Sequence, residues 1–172
     1  MMKPRVLVLA LACLLGTAAA TVYAKLALEQ QVERAEVIVH AVIKGVGVSV
    51  RANRPWTNYT LEPKRFVRGQ ESDLPRVGAG PAAAPGFSVL GGETLRMEGA
   101  PSFKQAEEVV LLLYTKPYDS PIVGFRQGAY RVINNKVQTL DGKPVVLTIE
   151  GRTLEVTLDQ FLARIEQIAR GR

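Results

Sequence analysis

Apolar residues recur along this chain in three rhythms. Residues 6–15 are apolar without a break, behind Lys3 and Arg5 and ahead of the small residues GTAAATVYAK. Residues 26–35, LALEQQVERA, set Leu28, Val32 and Ala35 at helical spacing with glutamates between them, which predicts a short amphipathic helix. Most of the chain beyond residue 35 alternates with period two. In EVIVHAVIKGVGVSVR the residues Val37, Val39, Ala41 and Ile43 share one face, and Gly45 and Gly47 interrupt the run, as glycine does where a strand bulges or bends to serve two sheets of a barrel. After the turn-prone ANRPW, TNYTLEPKRFVRG sets Thr57, Tyr59 and Leu61 against Asn58, Thr60 and Glu62, a half-buried strand broken or bulged at Pro63.

Between residues 70 and 86 no apolar period survives, and the proline- and glycine-rich QESDLPRVGAGPAAAPG predicts a flexible insertion between strands. FSVLGGETLRME reads as two strand halves around Gly91 and Gly92. A Gly-Gly pair between extended runs signals a hairpin or bulge, since glycine takes positive φ freely. A phosphate cradle would need a helix N-terminus behind it, and the sequence offers none there. Gly99 and Pro101 turn the chain before VVLLLYT, whose unbroken apolar run predicts a strand covered on both faces. KPYDSP is a hairpin loop, IVGFRQGAYRVI a strand pair with bend points at Gly124 and Gly128, and Asn134-Asn135 a turn. VVLTIE and TLEVT form a last hairpin around Gly151 and Arg152. The chain closes in a helix: Thr157 and Gln160 have capping-box spacing, Val156 and Phe161 staple spacing, and Phe161, Leu162, Ile165, Ile168 and Ala169 form one stripe.

The basic tip, short apolar run and small residues of the N-terminus have the layout of a secretory signal over residues 1–24, cut after Ala20 or Ala24. Either cut removes Cys13. Residues 10–12 are Ala, Leu and Ala, without the leucine usual three places before a lipidated cysteine, so lipid attachment at Cys13 is disfavoured. What remains, residues 25–172, suits a single secreted or periplasmic domain with no transmembrane span. It holds no cysteine and one histidine, His40, which removes thiol chemistry and multi-histidine metal sites. His40 lies in phase with Ile38 and Val42, the position of an exterior or helix-contact residue, and the adjacent Glu107 and Glu108 point to opposite faces of a strand. The expectation is no catalytic residue, no metal and no cofactor.

Charge adds one candidate surface. The chain carries 22 Lys and Arg against 16 Asp and Glu. Residues 44–76 hold seven basic residues against three acidic ones, beside Trp56, Tyr59 and Phe66. Arg51, Arg54, Trp56, Tyr59, Lys64, Arg65 and Arg68 are therefore the candidate binding surface. Cations interleaved with rings suit a single-stranded nucleic acid, and an anionic envelope polymer or lipid head groups could use the same patch. The excess is small and aromatics are scarce, so a solvated basic edge that discourages strand pairing is preferred.

The order LALEQQVERAEVIVHAVIKGV, a strand ending RFVRG, GGE, GAPSFKQAEEVVLLLY and VGFRQGAYRV resembles a domain of uncharacterised secreted bacterial proteins over residues 26–132. Their pattern has a helix ending in A-D, a strand ending LKG, then GGE, GxPxFxxGEEVLLFL and GxxQGKF segments. Here Ala106 stands where glycine is usual, Glu36 replaces the aspartate, and the 70–86 insertion is long. That domain is similar to netrin-like modules and metalloprotease inhibitors. The resemblance implies a mainly β fold: an OB-like five-stranded barrel with a short N-terminal helix, an extra C-terminal hairpin and a C-terminal helix over 137–170. The inhibitors' zinc-chelating N-terminal cysteine has no counterpart at Thr21 or Lys25, so that activity does not carry over. The function expected is a non-catalytic module binding an envelope or secreted protein, with an exported peptidase as one candidate partner. Polyanion binding by the basic hairpin and an enzyme with an unrecognised site are the alternatives.

Overall fold

The computed structural model describes residues 24–91, 99–116, 118–149 and 151–171. Residues 1–23, where the export signal is expected and Cys13 lies, together with Gly92 and the strand half expected after it, lie outside them. Helix α1 (Leu28–Arg34) leads into β1 (Val37–Arg51) and β2 (Arg54–Arg68). Then come β3 (Arg76–Val77), β4 (Ala84–Leu90), β5 (Glu108–Leu113), β6 (Ala129–Ile133) and β7 (Lys136–Thr139), the hairpin β8 (Val146–Ile149) and β9 (Arg152–Glu155), and helix α2 (Leu158–Arg170). Seven strands form one antiparallel sheet in the order β3-β4-β2-β1-β5-β6-β7, and β8 pairs with β9 alone.

The β1–β2 hairpin is the spine of the sheet. Its two-residue turn places Ala52 and Asn53 at φ 49° and 58°, the mirror-image geometry whose twist matches that of paired strands. The register shifts three times: Lys44 is an extra residue on β1, and Lys64 and Val67 are extra residues on β2. The Lys64 bulge follows Pro63, which has no N–H to give a ladder. At the Lys44 bulge, a side chain on Gly45 would start 2.9 Å from Thr60 Oγ1.

Both faces of the sheet are covered. On β5, Val109, Leu111 and Leu113 join Val37, Val39, Ala41 and Ile43 in one core, with Tyr59, Phe87, Phe103 and Leu74. Val110 and Leu112 join Ile38 in the other, under Val32 of α1, Ala35 just after it, and Phe161, Leu162 and Ile165 of α2. This is why the run in β5 is apolar without alternation. Thr157 caps α2 as its spacing predicts, accepting from Gln160 N–H while the Gln160 side chain accepts from Thr157 N–H at 3.0 Å.

The mainly β fold with two helices is as expected; the main sheet has seven strands, and among the described residues no ladder closes it into a barrel. Within the expected insertion 70–86 lie two short 3-10 turns, the edge strand β3 and the start of β4. Leu74 anchors them in the core, and backbone pairing of small residues needs no apolar period. IVGFRQGAYRVI is not a strand pair. Ile122 makes a single bridge to Leu113, and Gly124 and Phe125, at φ 63° and 69°, turn the chain into β6.

Ala106 sits at φ 67° in the turn before β5. An L-residue there is strained by roughly 1–2 kcal/mol, a strain glycine lacks. Glycine's larger unfolded-state entropy offsets part of the gain. Ala106→Gly is accordingly expected to raise the unfolding free energy measured in urea by about 0.5 kcal/mol net; a lowered value would place the strain elsewhere.

Tyr130 is buried against Phe161 and donates to Gln31 Oε1 at 2.6 Å. Burial pushes its phenol up to about 12. A raised folded-state pKa contributes stability that is complete below the unfolded value near 10 and lost as pH climbs through the folded one. Between pH 10 and 12 the chain should therefore lose about 2 kcal/mol that a Tyr130→Phe variant keeps. Parallel alkaline unfolding curves for the two would contradict this.

Candidate binding surface

β5 covers β1 only as far as Ile43. Ile43 N–H donates to Glu107 O at 2.9 Å and its carbonyl accepts from Ala106 N–H at 2.8 Å. Beyond that point residues 44–51 pair with β2 alone among the described residues. The cross-strand pairs Val46↔Tyr59, Val48↔Thr57 and Val50↔Pro55 put the three valines on the core face. The stripe Val37, Val39, Ala41, Ile43 thus continues, one residue out of phase after the Lys44 bulge, as Val46, Val48, Val50. Its first four members are fully buried; the last three are 46%, 64% and 70% exposed. Apolar side chains in a row beside an unpaired strand edge are what folded proteins ordinarily avoid.

The opposite face of this hairpin is polar and basic. Arg51 lies over the Trp56 ring, 4.9 Å from its centroid, and donates to Asn58 Oδ1 at 3.1 Å and to Ser88 Oγ. Ser88 donates to Asn58 Oδ1, and Asn58 Nδ2 to Ser49 Oγ at 2.9 Å. This network holds Arg51 flat on the strand with its charge exposed. Arg54 makes a long, exposed pair with Asp119 at 3.6 Å, an arrangement worth little.

The other residues of the expected surface lie elsewhere. Tyr59 is in the core, its ring 5.1 Å from Phe87 and 5.2 Å from Phe103. Lys64 pairs with Glu62, and its hydrogen bond and charge hold the Glu62 carboxyl below the usual range. Arg65 pairs with Glu166 of α2. Arg68 donates to the carbonyls of Val32 and Ala35 at 2.6 and 2.7 Å, closing the C-terminal end of α1. Trp56 and Arg65 are separated by roughly 30 Å of extended strand, so the seven residues make no single groove. Arg51, Arg54 and Trp56 stay together at the hairpin tip; Lys64, Arg65 and Arg68 serve the far end of β2, two of them as ties to the helices.

The residues expected at turns lie as follows. Gly91, at φ 97°, bridges Trp56; Gly99 is at φ 80°; Pro101 is buried; and Gly128 packs against Leu112, where a side chain would start 3.1 Å from Leu112 backbone oxygen. His40 Nε2 is 2.7 Å from Glu108 Oε1 on the helix-covered face, while Glu107 pairs with Arg131 at 3.2 Å on the other. A cavity of about 340 Å³ opens beside both glutamates and Arg131, so its charged walls are already paired. Among the described residues no group of three or more His, Cys, Asp or Glu side chains gathers, and no helix is long and apolar enough to cross a membrane.

The valine stripe is the surface that sequence reasoning missed. Its signal was GVGVSV, an alternation whose other phase is only Gly and Ser, hidden because the bulge breaks the phase at Lys44. Compared with known proteins, the chain matches no protein-family model, and a search among curated proteins finds no match.

Proposed function

We propose that this chain is an exported, non-catalytic binding module of OB-like type that recognises another protein of the cell envelope or secreted fraction through the outer half of its first hairpin. The observation that carries the reading is the exposed row Val46, Val48, Val50 beside a strand edge that pairs with nothing among the described residues. The N-terminal layout of residues 1–24 supports export. The cations of the first hairpin, split between its tip and the helix contacts, favour a protein over an extended polyanion.

The test is a crosslinking pull-down from envelope and secreted fractions at low and high salt. The bait is the purified protein or its Val46→Thr/Val48→Thr/Val50→Thr variant. Threonine keeps the β-branched shape and removes the apolar face, and at exposed positions it should leave stability within about 0.5 kcal/mol. A defined protein held at both salts by the natural chain and lost by the variant is the expected result. Retention only at low salt, or unchanged by the substitutions, would shift the weight to polyanion binding or sink the surface.

A further inference from the structure

Building on the protein-binding reading, we infer that the partner adds as a β-strand along residues 44–50 and that it is an extended segment alternating apolar and acidic residues. The backbone geometry comes first. Residues flanking a two-residue hairpin turn exchange both hydrogen bonds, so Arg51, Ser49 and Gly47 direct theirs to β2. The N–H and C=O of Val46, Val48 and Val50 then face the open edge. The partner strand agrees: Pro55, opposite Val50, turns its carbonyl away from β1 to accept from Gly91 N–H at 2.9 Å. Three residues whose outward N–H and C=O meet no partner strand among the described residues form a template for an added strand of ordinary length.

Side chains set the chemistry of that strand. On one face its alternate residues meet Val46, Val48 and Val50 and extend the buried stripe of β1, which calls for apolar groups. On the other they meet Gly45, Gly47 and Ser49, between Lys44 at one end and Arg51 and Arg54 at the other. Gly47 has open space where a side chain would start. Lys44, Arg51 and Arg54 stand against Glu62, which feels the Lys44 charge, and Asp119, in a long exposed pair with Arg54; three cations against two acids leave this edge basic, so charge complementarity calls for carboxylates in the partner's second phase. A second copy of this chain fits worse. Antiparallel self-pairing about Val48 would bring two sets of Lys44, Arg51 and Arg54 together with no acid from residues 44–61 of either copy.

The experiment is fluorescence anisotropy of the whole protein with three labelled seven-residue probes. One alternates glutamate and valine, one has the same composition in blocks, and one alternates lysine and valine. Saturable binding of the first, at least tenfold weaker for the other two, is expected. Val48→Pro removes an outward N–H at a place where proline is tolerated, and it should weaken the first probe at least tenfold. A second readout needs no variant: the amide protons of Val46, Val48 and Val50 should exchange more slowly once the probe is added. Equal binding of the lysine probe, no saturable binding, or unprotected amides would overturn the inference. So would a dimer in sedimentation that Val48→Pro abolishes, since a second copy would then cover the edge. A pull-down partner lost with the threonine variant but kept by Val48→Pro would leave the protein-binding reading standing and remove strand addition alone.

Discussion

Phe161→Ala is expected to lower the unfolding free energy by about 3–5 kcal/mol, a large fraction of what holds a domain of this size. Phe161 is fully buried, 4.8 Å from the Tyr130 ring in an edge-to-face contact, and sits in the cluster that joins α2 to Ile38, Val110 and Leu112 of the sheet. It is also the inner half of the staple with Val156, which fixes the angle at which the chain enters the helix. Removing the ring leaves a cavity between helix and sheet in the cluster that Phe161 fills. Residues 25–172 contain no cysteine, so no disulfide limits the loss. Urea unfolding of the variant, with Thr157→Ala alongside at about 1 kcal/mol, measures it. A loss for Phe161→Ala no larger than that of the cap would mean that α2 is peripheral.

Features legible in the sequence are those decided by neighbours in the chain. Asn134 and Asn135 sit at φ 49° and 61° between β6 and β7 as a two-asparagine turn should, and the α2 cap arises from Thr157 and Gln160 alone. The uninterrupted apolar run of β5 announced burial on both faces because no polar phase was present to face solvent. Features that were not legible depend on distant partners. Charge counting set Arg68 in a basic patch, whereas its guanidinium closes a helix more than thirty residues earlier in the chain. Tyr59 alternates correctly for a half-buried strand, but only the arrival of Phe87 and Phe103 decides that it lies inside. At the candidate site the obstacle was one residue. The Lys44 bulge moves the apolar phase from odd to even numbers, so Val46, Val48 and Val50 do not read as the continuation of Val37 to Ile43. Exposure itself came from where β5 ends, and no local pattern in β1 carries that.

Gly86→Ala should be the most damaging single-methyl change among the glycines of the sheet, at about 3 kcal/mol or more. A methyl group there would lie 2.2 Å from the Tyr59 carbonyl oxygen and 3.1 Å from the Thr60 Cα, both backbone atoms of β2 that no rotamer change can move. Relief requires β4 to separate from β2, which breaks the ladder from Thr57↔Val89 to Thr60↔Gly86 and lifts Phe87 off the Tyr59 ring. That ladder stands behind the exposed part of the hairpin, because Tyr59 and Thr57 are the cross-strand neighbours of Val46 and Val48. Partner retention should therefore fall at temperatures where the variant is still mostly folded, a coupling that a core substitution under α2 would not show. Gly47→Ala is the internal comparison. Nothing lies within 4 Å of its added methyl, and replacing glycine in a strand should be neutral or stabilising by up to about 1 kcal/mol. Paired urea curves and pull-downs for the two variants distinguish the cases. If Gly86→Ala unfolds within about 1 kcal/mol of the natural chain, β4 is not seated on β2 as closely as the contact with the Tyr59 carbonyl requires. The support this gives to the hairpin surface would then fall with it.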